Sequence, residues 1–129
     1  MLGGSGEKKT FRLAARYADH LNIIADISAL PGKLDVLRQR CAEIDRDPAT
    51  LETSCLLTVV LEGYDAPRDI GEARGGRVVT GTPDQVAEQI KSRVLDAGID
   101  GVIVSLPTHR YTPGVITKLC DALKPLVHA

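Results

Sequence analysis

The residues best suited to chemistry stand at the start of the chain, Gly3-Gly4-Ser5-Gly6 followed by Glu7-Lys8-Lys9-Thr10. Three glycines in four positions let the backbone turn sharply and leave N–H groups uncovered. A segment with helical spacing follows at once. A helix start carries unpaired N–H donors and a partial positive charge, so the junction suits an anion, most often phosphate. The competing reading is a tight loop that only caps a helix. Lys8 and Lys9 fall where the helix dipole disfavours cations, and a bound anion would relieve that conflict. The pattern is not the P-loop G-x-x-x-x-G-K-[ST]. Lys9-Thr10 could supply its last two positions, but Lys8 stands where Gly is required, and only Met1-Leu2 stand where a full strand is required.

Other polar candidates are few. Asn22 breaks an apolar run, and reads equally as a satisfied core amide or a ligand contact. Thr108-His109-Arg110-Tyr111 combines a proton carrier with an anion holder, against the commoner reading of a solvated loop. Glu62 receives no acid–base role. His20 reads as packing near a strand entrance, and His128 as part of a frayed terminus. Cys41, Cys55 and Cys120 lack metal-ligand spacing, and are expected to be reduced, structural thiols in a cytoplasmic protein.

These residues need elements to position them. The chain has 129 residues, 43% hydrophobic, enough for one α/β domain spanning 1–129 with a real core. A formal net charge of -1 gives no electrostatic case for nucleic acid or an anionic membrane. Aromatics are limited to Phe11, Tyr17, Tyr64 and Tyr111, which argues against base-stacking platforms. No stretch approaches the roughly 18 apolar residues of a membrane span, and no signal peptide is visible.

Residues 7–18 have helical spacing, with Phe11, Ala14, Ala15 and Ala18 on one side. Residues 19–24 read as a short strand. Pro31 suits a helix first turn, and Leu34, Leu37, Cys41 and Ile44 form an apolar stripe behind it. Residues 52–61 read as a strand covered on both faces. Residues 63–76 are irregular, with Val78-Val79 as a short extended piece. Thr82-Pro83-Asp84-Gln85 is a helix start in capping-box form. The helix runs to Gly98, a strand covers 101–106, and Thr112-Pro113 opens a last helix. Strict alternation predicts a parallel α/β fold with right-handed crossovers, close to half of a (β/α)8 barrel with its first strand truncated.

The block Gly3 to Thr10, with Arg12-Leu13-Ala14-Ala15-Arg16-Tyr17-Ala18-Asp19 and Asn22, resembles the luciferase-like monooxygenases, in particular their F420-dependent oxidoreductase branch. Gly32-Lys33-Leu34-Asp35-Val36-Leu37, Gly81-Thr82-Pro83-Asp84-Gln85-Val86 and Asp96-Ala97-Gly98-Ile99-Asp100-Gly101 are similar to later helices and strands of that family. The resemblance covers nearly the whole chain and falls on the C-terminal half of the family's TIM-type barrel. It implies an oxidoreductase fold in which the glycine turn helps hold the phosphate of coenzyme F420, or alternatively FMN. The implied cofactor residues are Gly3, Gly4, Ser5, Gly6, Lys8, Lys9, Thr10 and Asn22. It also implies that the proton-handling side chains belong to the N-terminal half, so no catalytic residue carries over. The alternative expectation is a non-catalytic remnant or oligomerising domain with little or no cofactor binding. Half a barrel has free sheet edges, which predicts a homodimer, a larger oligomer, or pairing with an N-terminal half-barrel.

Overall fold

The computed structural model describes residues 1–63, 75–107, 109 and 112–127. Five parallel strands are formed by β1 (Leu2–Gly4), β2 (His20–Ile23), β3 (Glu52–Leu61), β4 (Val78–Gly81) and β5 (Gly101–Ser105). The helices are α1 (Thr10–Tyr17), α2 (Leu30–Ala42), α3 (Pro83–Ile90) and α4 (Val115–Val127). The long strand β3 is the hub, pairing with β2, β4 and β5. Thr58 pairs with Val78 of β4 and with Ser105 of β5, so these strands flank it on opposite edges. β4 therefore continues the β2 edge beyond the end of β2, and among the described residues β1, β4 and β5 each pair along one edge alone. The extended piece foreseen at Val78-Val79 is thus a paired strand.

Alternation along the strands separates two faces. Leu21, Ile23, Cys55, Leu57 and Val59 are buried in one core with Phe11, Leu34 and Leu37. His20, Asn22, Ser54, Leu56 and Thr58 alternate with them and face the other way. α1 lies close to the sheet because its inward residues are Phe11 and two alanines, Ala14 and Ala15. It starts at Thr10 rather than at residue 7, since Phe11 N–H bonds to Gly6 O in a wide turn.

Arg46 finishes the other end of α1. Its guanidinium donates to Ala15 O and Ala18 O, both at 2.8 Å, and to Thr50 Oγ1 at 3.0 Å. A cation among the last carbonyls satisfies them and complements the helix dipole. Thr82 and Gln85 form the foreseen capping box at α3. The left-handed φ of Gly81, 136°, and the nearness of Gln85 Oε1 leave no room there for a Cβ. α3 passes into a π turn over Lys91–Leu95, and Asp100 then ties β5 to β3 by accepting from Thr53 N–H at 2.8 Å and Thr53 Oγ1 at 3.0 Å.

Three expectations shift. α4 begins at Val115 rather than at Thr112-Pro113. Ile44, placed on the buried stripe, is 40% exposed because α2 ends at Ala42. Cys120 is exposed, while Cys41 and Cys55 are buried.

Candidate functional site

The turn after β1 is held from below by its own chain. Gly4 has φ 149°, and a Cβ there would meet Thr10 Cγ2 at 3.3 Å. A Cβ on Gly6 would meet Thr10 Oγ1 at 3.0 Å. The space these two glycines leave is therefore filled by the Thr10 side chain. Gly3 differs, because the nearest atom to its Cβ position is Asn22 O at 3.9 Å. Among the described residues, the N–H groups of Gly6, Glu7, Lys8, Lys9 and Thr10 have no acceptor within the chain. Gly6, Lys8 and Lys9 are exposed, Glu7 and Thr10 are half-buried, and the two lysines have no ion-pair partner among the described residues. That arrangement fits a phosphate, which takes several donors at once.

Two cations that the sequence did not single out steady the turn. Lys33 Nζ donates to Ser5 O at 2.9 Å and lies 3.1 Å from Glu7 Oε1. Arg40 Nε donates to Glu7 O at 3.1 Å. Lys33 and Arg40 are seven positions apart, so they share one face of α2. That spacing was the available signal, but nothing local showed which face meets the turn.

Asn22 sits beside Gly3 in the β1–β2 register and is buried. Its Nδ2 donates to Ser54 Oγ at 2.8 Å, and the same hydroxyl lies 2.7 Å from His20 Nε2. Ser54 Oγ accepts from Asn22, and the other ring nitrogen of His20, Nδ1, lies 3.8 Å from Glu52 Oε2. One end of the Asn22 amide is thus held by the core through Nδ2. His20 lies at a strand entrance as expected, within this polar row.

His109 is not in a solvated loop. It is buried, and its Nε2 accepts Leu61 N–H at 3.1 Å, tying the segment after β5 to the end of β3. Thr108, Arg110, Tyr111, Tyr64 and His128 lie outside the described residues. Burial raises the Cys41 thiol above its ordinary range, partly offset by Arg46, and pushes Cys55 up to about 11. Both are poor nucleophiles at neutral pH. No His, Cys, Asp and Glu cluster among the described residues could hold a metal ion, and none of their helices is long and apolar enough to cross a membrane.

No protein-family model and no curated protein sequence matches the chain. Solved structures do. An F420-dependent secondary alcohol dehydrogenase in complex with an F420-acetone adduct superposes with TM-score 0.73 at 18% identity, over 98% of this chain and 48% of its own. The coenzyme F420-dependent tetrahydromethanopterin reductase from Methanopyrus kandleri gives TM-score 0.71 at 12% identity, over 97% and 50%. EDTA monooxygenase from Chelativorans sp. BNC1 gives TM-score 0.71 at 15% identity, over 98% and 43%. The chain spans about half the length of these structures or less. Its parallel α/β fold is that of about half of a TIM-type barrel.

Proposed function

We propose that the chain is part of a luciferase-like oxidoreductase and that the turn from Gly3 to Thr10 holds the phosphate of coenzyme F420 or, alternatively, FMN. The observation that carries this reading is the run of N–H groups from Gly6 to Thr10 without acceptors, beside exposed Lys8 and Lys9, in a fold shared with F420-dependent enzymes. When bound, such a cofactor supplies hydride transfer at its ring system. The chain's own part is to bind and orient. The N–H groups take the phosphate oxygens, and Lys8 and Lys9 offset their charge. Gly3 leaves the approach open, Thr10 fills the turn from behind, and Asn22 stands beside Gly3 on β2. No described side chain is assigned a catalytic role. Titrating the chain with F420 and with FMN, followed by fluorescence, tests the reading, and saturable binding of either is the expected result.

A second reading, a non-catalytic domain that works as an oligomer, is favoured by the β5 margin. Ile116 is 57% exposed and Val127 73%, and both line an apolar groove of about 590 Å³ between β5, α3 and α4. A second copy, or another half-barrel, would cover this surface.

A further inference from the structure

The outer surface of α1 carries a pattern that neither the sheet nor the glycine turn uses. Arg12 and Arg16 lie four positions apart and form one exposed row. Leu13 and Tyr17 form the adjacent row, at 51% and 72% exposure. Ile44, at 40%, comes from just beyond α2 and lines the same groove of about 370 Å³ between the two helices. Scattered exposed apolar residues need no explanation, but three sharing one groove mark an interaction surface.

The charge around them is one-sided. Arg12, Arg16 and Arg40 line the groove against a single carboxylate, Glu43. Glu43 is committed to Arg40 at 2.7 Å and lies 3.9 Å from Arg12. Arg16 has no ion-pair partner among the described residues, and the Tyr17 hydroxyl has no hydrogen bond there. Lys8 and Lys9 extend the basic surface toward the start of α1. Tyr and Arg are the side chains enriched where binding energy concentrates.

We propose that the α1–α2 groove docks an acidic, apolar segment of a partner protein. Its apolar side chain would rest on Leu13, Tyr17 and Ile44, and its carboxylates would pair with Arg16 and Arg12. Charge complementarity selects this occupant. A duplex nucleic acid would need a broader basic field than a chain of net charge -1 provides. A membrane would need a longer apolar face than these two rows.

The test uses the whole chain, labelled with 15N, and a synthetic peptide of alternating Glu and Leu. The expected result is amide shifts centred on Arg12, Leu13, Arg16, Tyr17 and Ile44, with binding about tenfold weaker for the same peptide carrying Gln in place of Glu. Arg16→Glu and Tyr17→Ser should each weaken binding about tenfold while leaving the circular-dichroism melt unchanged, since both side chains are exposed. Equal affinity for the Glu and Gln peptides, shifts located elsewhere, or stronger binding to duplex DNA or to phosphatidylserine vesicles would overturn the proposal.

Discussion

The helix layer over β1 and β2 and the layer over β5 are built differently. Over β1 and β2, α1 seals fully, with Phe11 and Leu21 at 0% exposure, and its two ends are tied by Lys33, Arg40 and Arg46. Over β5, α4 stands off the sheet. Val102, Val104, Leu106 and Leu123 are only partly buried along an open groove. The first layer is finished by hydrogen bonds from charged side chains to backbone carbonyls, which the chain supplies itself. The second depends on apolar contact, and the described residues leave that contact incomplete. The sealed layer carries the anion-suited turn, and the open layer carries the apolar groove.

The largest test of this contrast is a pair of truncations. Phe11→Ala should cost about 3–5 kcal/mol, because it opens a cavity in a sealed layer. Leu123→Ala, bordering an existing groove, should cost about 1 kcal/mol. Urea unfolding of both variants measures the difference, and equal losses would erase the contrast.

Titration of the buried thiol is next in size. The Cys55 pKa is raised by burial from 9.0 to about 11, so the folded chain favours the neutral thiol. Its contribution is complete below pH 9 and fades as pH rises toward 11, because the unfolded thiol releases its proton first. Wild type should therefore lose about 2 kcal/mol more than Cys55→Ala across that window. Parallel pH profiles would contradict it. Cys120, in the open layer, should react with a thiol reagent in the folded state while Cys41 and Cys55 wait for unfolding.

The sequence made some of this legible. β3 is announced by the run Leu56–Leu61, apolar without alternation, and the capping box at Thr82 and Gln85 follows from two side chains three positions apart. Local signals failed where long-range contacts decide. Lys33 and Arg40 reach carbonyls 28 and 33 positions away, and no short pattern announces that. Two helices start later than their local pattern suggests, at Thr10 and Val115. At the first, the wide Gly6–Phe11 turn takes the place of a first helical turn. His109 read as a loop residue because its partner, Leu61 N–H, lies 48 positions upstream.

Assembly gives a smaller and concentration-dependent effect. Sedimentation should show a homodimer or larger oligomer at micromolar concentration, reduced to monomer by Ile116→Lys together with Val127→Lys. A monomer that binds no hydrophobic dye would contradict the reading of the β5 margin as an assembly surface.

The most direct measurement of the central claim compares F420 and FMN binding by the wild type and by a Lys8→Ala, Lys9→Ala variant. Gly4→Val and Gly6→Val would be less informative, since their side chains would collide with Thr10 and disturb the turn itself. Both lysines are exposed, so the fold should be unaffected. If the turn holds the cofactor's phosphate, the double variant should bind at least about tenfold more weakly, with a shallower dependence of affinity on salt. Unchanged affinity and unchanged salt dependence for a cofactor that does bind would remove the phosphate from this turn.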